Sequence, residues 1–367
     1  MNLMPGSLLG LLLISGICTG GHAADQWGLT EGNAELQSAT VLAFGPEDIL
    51  FIGDSSSAAV VAVATGDKSG KPAEAAINIE NLGEVLAGEL HAKSVVVNDL
   101  AVNPRTGTAF LAVTADGKPV IATIDGGGKV GHLSLNGIRH ARVELADAPE
   151  DRVVGEGRRA RNNRSESITD LAFFENKLLV SGLSNSAAPS SVRELNFPFA
   201  EADKGIAVEI YHAAHGRNED YAAMRTFVPL LVGGEPTILG AYVCTPLVKI
   251  PVSDLTAAGE RVRATTVAEL GNRNRPLDMI SYTKGGAEFL LLSNSARGVM
   301  KIGTAGLQSA AGLTEQVSGG GAAGHSYETV ASMTGVVQLD KLNASSALVL
   351  LQAEENAPLN LRTVALP

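Results

Sequence analysis

The chain predicts an all-β protein: a six-bladed β-propeller of four-stranded antiparallel blades. Three observations point there. First, a phrase recurs. Val97-Asn98-Asp99-Leu100-Ala101-Val102, Ile168-Thr169-Asp170-Leu171-Ala172-Phe173 and Pro276-Leu277-Asp278-Met279-Ile280 each precede a short turn and a second apolar run. A period of roughly 40–60 residues is the mark of propellers and solenoids. Second, the apolar runs are strand-length and bounded by turn residues rather than spaced for helices. Third, the 367 residues include 41 Gly, with 18% charged and 4% aromatic residues, an apolar, turn-rich composition far from disorder.

Six units follow in order. The first reads Thr40–Phe44, Ile49–Ile52, Ala59–Ala64 and Ala75–Ile79, and the second Val95–Val102, Thr108–Thr114, Val120–Ile124 and His132–Leu135. The third reads Ile168–Phe174, Lys177–Gly182, Ser191–Asn196 and Ile206–Tyr211, and the fourth Arg225–Leu231, Thr237–Val243, Leu247–Val252 and Ala264–Leu270. The fifth reads Leu277–Tyr282, Glu288–Leu292, Gly298–Ile302 and Leu313–Val317. The last has only Val330–Leu339, Ala347–Leu351 and Leu361–Ala365. Its missing outer strand would be supplied by the N-terminal stretch Leu29–Ser38, which has no blade of its own. Such closure hides sheet edges that would otherwise template aggregation. A seven-bladed ring is the alternative.

Two insertions interrupt the repeat. Leu82, Val85, Leu86 and Leu90 are spaced for a short helix over 82–92. Residues 137–167 form a long polar loop carrying Arg139, Arg142, Arg152, Arg158, Arg159, Arg161 and Arg164. These could clamp a carboxylate or phosphate, or be a solvated loop.

Leu8 to Ile17 is apolar but too short to span a bilayer, and Gly21-His22-Ala23 offers small residues for cleavage. Residues 1–23 therefore read as a signal peptide, although they contain no Lys or Arg, and 24–367 as one propeller domain, periplasmic or secreted, with no membrane span. The formal net charge of −11 argues against nucleic acid as a partner. Cys18 departs with the signal, which leaves Cys244 as the lone thiol.

In a propeller the connections between blades and the second-to-third-strand turns share one face. His212, His215, Arg217 and Glu219 fall in the third inter-blade connection, Cys244 in a second-to-third-strand turn, and His325 and Asn274 in further connections. Two imidazoles spaced His-x-x-His with a thiolate suit Cu or Zn, with Met224 as a weak axial ligand. Against this, exposed loop histidines and a buried Cys are common. Glu219 is a further ligand or a general base. Asp99, Asp170 and Asp278 recur at matching positions, so they read first as turn-fixing residues, and second as an axial carboxylate ring for a hard cation. The patterns Gly-x-Ser-x-Gly and Cys-x-x-Cys-His are absent.

The segment from Val97 to Thr108, with Pro276-Leu277-Asp278 as a second copy, resembles the start of a blade in six-bladed propellers of the gluconolactonase and NHL kind. The resemblance covers the repeat phrase. It implies a divalent metal at the axial face, with Asn98 or Asp99 and Asp278 at two ligand positions.

Three functional expectations follow. The leading one is an exported propeller that binds a divalent metal, copper or a small ligand at the axial face through His212, His215, Cys244 and His325, with Asp99, Asp170, Asp278, Asn274, Arg217 and Glu219 as further ligand-binding residues. The second is a metal-dependent, lactonase-like hydrolase. The third is a scaffold for another exported protein.

Overall fold

The computed structural model describes residues 26–157, 160–202, 204–257 and 259–367. The signal peptide expected over 1–23, with Cys18, and Arg158 and Arg159 lie outside the described residues. Among the described residues the strands build six blades around a central axis. We number the blades by the chain order of their inner strands: Val41–Phe44, Val95–Val102, Asp170–Phe174, Thr226–Val232, Pro276–Lys284 and Val336–Lys341.

The blades are not arranged in chain order. Inner strands pack on one another in the cycle 1-3-4-5-6-2, so blade 2 stands between blades 6 and 1. The apolar cores report the same cycle. Blade 2 shares one core with blade 6 (Leu111, Val113, Leu348, Leu350) and another with blade 1 (Phe110, Ala112, Leu50, Ile52). Blade 1 meets blade 3 through Phe51, Val60, Leu178 and Val180. The middle strands of each blade therefore bury both faces. Leu290 and Leu292 face blade 4 while Leu291 faces blade 6. That is why the strands read as unbroken apolar runs rather than as alternating ones.

The outer strands explain the reordering. The chain leaves blade 1 after Ala59–Ala64, and Asn78–Ile79 then pairs with Asn360–Ala365 as the outer strand of blade 6. The helix Leu82–Glu89 follows, its Leu82 and Leu86 buried between blades 6 and 2. After blade 2, Ile138–Glu144 returns to pair with Ala59–Ala64 and completes blade 1. Thr30–Gly32 adds a fifth strand outside it.

This corrects the sequence reading in two places. The N-terminal stretch closes blade 1, not blade 6. Part of the Arg-rich 137–167 segment is a strand, which sequence misses because only Ile138 and Val143 of its seven residues are fully buried. The rest of that segment is a small hairpin, Val153–Val154 with Arg161–Asn162, and a 3-10 turn Asn163–Glu166. A third difference concerns blade 5. Its outer strand is Glu328–Thr329, and Ala322–Gly324 adds to blade 4. Leu313–Val317 is not a strand.

Carboxylates tie neighbouring blades together. The Asp99 side chain accepts the Leu42 amide (2.6 Å), Asp170 that of Phe227 (2.8 Å), Asp278 that of Leu339 (2.8 Å) and Asp340 that of Val102 (2.6 Å). All four bonds run from one blade to the next in the same sense around the axis. The repeated Asp is thus a blade-to-blade clasp.

Candidate functional site

Two polar centres stand out, one at the rim and one on the axis. The rim centre is built by a hairpin. Ile206–His212, the outer strand of blade 3, turns at 213–216 and returns as Arg217–Glu219, with His212 opposite Arg217. Gly216 has a φ of 65°, the left-handed conformation that glycine adopts without strain. This hairpin carries His212, His215, Arg217 and Glu219 to one point.

There the two Nδ1 atoms of His212 and His215 each lie 2.8 Å from a different oxygen of Glu219. Arg217 Nε donates to the same carboxylate at 2.9 Å. The two imidazole rings are 3.9 Å apart, centre to centre. One ligand atom from each of His212, His215 and Glu219 lies within 4.8 Å of the others. His212 is only 4% exposed, and its Nε2 is buried without a hydrogen-bond partner. Burial would raise the Glu219 pKa, but hydrogen bonds from His212, Arg217 and His215 outweigh it and hold the carboxyl near 2. Burial depresses His212, so its imidazole favours the neutral form that binds metals. Glu269, from the outer strand of blade 4, accepts the Ala214 amide at 3.1 Å. Burial lifts its carboxyl to about 7.

Cys244 and His325 do not join this group. Cys244 lies in a turn of blade 4 where it and Thr245 have φ of 72° and 107°. The turn is pinned to blade 5 by a Cys244 N–H bond to Asn274 O at 2.9 Å and a Thr245 Oγ1 bond to Gly271 O at 2.7 Å. Asn274 is spent on the same junction, its side chain bonding Asn294 and the Ala296 amide. His325 Nε2 lies 2.6 Å from Gly303 O. Sharing a face did not mean sharing a radius. None of His212, His215, Cys244 and His325 lines the axial channel among the described residues, which corrects the expectation of an axial His/Cys cluster.

The axial centre is a channel with carboxyls at its waist. Asp99, Asp170 and Asp278 line both of its halves, a cavity of about 380 Å³ toward the first-to-second-strand turns and one of about 240 Å³ toward the inter-blade connections. Burial and mutual repulsion push Asp99 and Asp278 well above the usual carboxylate range. Burial lifts Asp170 and Asp340 to about 6. At the inter-blade mouth stand Arg225, paired with Glu166 at 2.7 Å, and Arg275. Sequence reasoning passed over Thr226 and Gln338, which complete this ring. Both precede the amides of Phe227 and Leu339 that the clasping carboxylates receive, so aligning the inner strands on the repeated Asp would have found them.

Two of the described arginines of the Arg-rich segment are spent on local ion pairs. Arg142 reaches Glu144 and the buried Asp54, while Arg152 pairs with the exposed Glu150 elsewhere.

No protein-family model and no curated protein matches this chain. Among solved structures, the chain is similar to one in a crystal structure of the mitotic checkpoint complex, at 8% identity and a TM-score of 0.38, over 97% of this chain and 99% of that one. It is similar to a putative oxidoreductase (glucose dehydrogenase) from Thermus thermophilus, at 14% identity and a TM-score of 0.36, over 92% of this chain and 100% of that one. It is also similar to the dihydro-heme d1 dehydrogenase NirN, at 11% identity and a TM-score of 0.35, over 91% of this chain and 60% of that one. Likenesses this distant carry no argument about function. The six-bladed assignment rests on the strand pairing itself.

Proposed function

We propose that this propeller binds a transition metal ion, Zn²⁺ or Cu²⁺, at the rim through His212, His215 and Glu219. The observation that carries this reading is that one ligand atom from each of these three residues lies within 4.8 Å of the others, beside a His212 whose Nε2 is buried without a partner. Burying a polar atom without a partner costs about 1–3 kcal/mol, and a ligand that engages the ring recovers it. Two imidazoles and a carboxylate suit these ions and leave coordination positions open for water or a small ligand.

Metal analysis of protein purified without chelators, followed by calorimetric titration with Zn²⁺ and Cu²⁺, tests the reading. One equivalent should bind, with affinity falling at least about ten-fold in His212→Ala and Glu219→Gln and unchanged in Cys244→Ser. Binding that survives Glu219→Gln intact would overturn it.

The lactonase-like alternative draws less from the geometry. Asp99 and Asp278 are each engaged by neighbouring amides, and among the described residues no group of three axial carboxylates closes to 4.8 Å.

We propose that the protein acts after export, on the strength of the apolar N-terminal stretch and the small residues before Asp25. Among the described residues no helix is long and apolar enough to cross a membrane. N-terminal sequencing of protein recovered from outside the cytoplasm should begin at Ala24.

A further inference from the structure

The axial mouth and a groove beside it share residues that the rim site does not use. Toward the inter-blade connections the channel is lined by Asp99, Asp170, Asp278 and Glu166, opposed by Arg225 and Arg275. Four carboxyls thus face two guanidinium groups, and one of those, Arg225, is already paired with Glu166. Asp170 and Asp278 each use one lone pair per oxygen on a backbone amide. A second lone pair on each oxygen remains free to accept.

Two further oxygens in the same ring lack partners. The Thr226 hydroxyl, on a residue 2% exposed, stands beside the Asp170 carboxyl but outside hydrogen-bond geometry. Gln338 spends its amide nitrogen on Asn98 O and Asp99, and its Oε1 is buried with no donor. The carboxyls and Gln338 Oε1 call for a ligand that donates.

Leu277 and Gln338 also line a second cavity of about 520 Å³, between blades 2 and 6. Val95, Val96, Val97, Val337 and Leu359 give it an apolar wall, with Asn81 and Gln352 among its polar residues. Val96 is 59% exposed although it lies in the inner strand of a blade. Leu277 and Gln338 line both, so the groove lies directly beside the acidic ring. An acceptor-rich pocket beside a groove walled largely by valine and leucine fits an amphiphile with a hydrogen-bond-donating cationic head.

We infer that the axial mouth is a binding site for an organic ammonium ion with an apolar tail: the head donates to Gln338 Oε1, Thr226 and the carboxyl ring, and the tail lies in the groove against Val96 and Val337. The site is separate from the rim metal centre and stands whether or not that centre binds metal. Because burial holds Asp170 partly protonated, with Asp99 and Asp278 raised further by neighbouring carboxyls, the head displaces protons, and affinity rises as pH rises through about 6, where Asp170 ionises.

The test is calorimetric titration with n-hexylammonium, methylammonium and hexanoate. Hexylammonium should bind, and hexanoate should bind at least about ten-fold more weakly. Methylammonium should lose about three- to four-fold for each methylene the groove no longer covers. Thr226→Val and Gln338→Met should each weaken the amine by about ten-fold, the loss expected of a hydrogen bond to a charged donor. Val96→Ser, at an exposed position, should weaken hexylammonium by about three-fold and leave methylammonium unchanged. The inference fails if hexylammonium does not bind, if hexanoate binds as tightly, or if methylammonium binds as tightly. The ligand series needs no variant, so it decides the matter even if Thr226→Val misfolds.

Discussion

The rim hairpin and the axial channel both bury carboxyls, yet they push them in opposite directions. At the rim one carboxyl, Glu219, faces two imidazoles and a guanidinium and sits near 2. On the axis, carboxyls face one another and backbone amides, and Asp170 sits near 6. Burial acts on both in the same way. What differs is that the rim gathers hydrogen-bond donors, Arg217 among them, from a single hairpin, whereas the axis brings carboxyls together from several blades. The rim is therefore a place where an anion is already satisfied and neutral imidazole nitrogen is in surplus. The axis is a place where acceptors are in surplus.

The largest expected effect breaks the rim. Glu219→Ala leaves His212 buried without either partner, and the removal of one member of a buried ionic group costs about 3 kcal/mol or more. Chemical denaturation at pH 7 should show it as a lowered midpoint with an unchanged slope. The Glu219 contribution is present above its unfolded pKa near 4.5 and is lost as pH falls through about 2.

The axis should respond with the opposite sign. A carboxyl raised from 3.8 to about 6 makes the native state bind the extra proton, so its cost is absent below pH 4 and fully present above pH 6. At about 1.4 kcal/mol per pKa unit, Asp170 alone makes the protein about 2–3 kcal/mol less stable at pH 7.5 than at pH 4. In Asp170→Asn this part of the dependence should vanish, even though the variant loses one clasping bond at every pH. Unfolding curves at pH 4.5 and 7.5, compared between the variant and the parent, measure it. An unchanged difference between the two pH values would contradict the account of the axial ring.

The smallest effect separates the two rim histidines. His215 has a side chain 42% exposed against 5% for His212. His215→Ala should cost under about 1 kcal/mol, in line with exposed ion pairs, while it still weakens metal binding. A thermal melt alongside the metal titration distinguishes folding from coordination.

The blades were legible in the sequence where their strands are local. The three inner strands of each unit are linked by short turns, and apolar runs such as Lys177–Leu183 and Ala287–Asn294 announce them. The outer strands of blades 3 and 4 were legible too, at Ile206–His212 and Thr265–Leu270, but those of blades 1, 5 and 6 were not: Asn78–Ile79 finds its partner some 280 residues away, and nothing in its own pattern names that partner. The same division applies to the sites. His212, His215 and Glu219 come together because one hairpin holds them at short spacing, which sequence can show. Cys244 and His325 share a face with them but not a radius, and radius is a property that a one-dimensional pattern does not encode. Thr226 and Gln338 carry no signal by residue type, only by their alignment with the repeated Asp.

The interlaced outer strands have a temporal consequence. In a ring whose blades follow chain order, blades can be laid down and docked one after another as the chain lengthens. Here blade 1 waits for Ile138–Glu144, and Asn78–Ile79 waits for Asn360–Ala365, with Ile77 bonded to Thr363 across a separation of 286 residues. Closing so long a loop is entropically late. Blade 1 can be finished once residue 144 exists, but Asn78–Ile79 stays without its partner until almost the whole polypeptide has been made, so the ring closes in one final act.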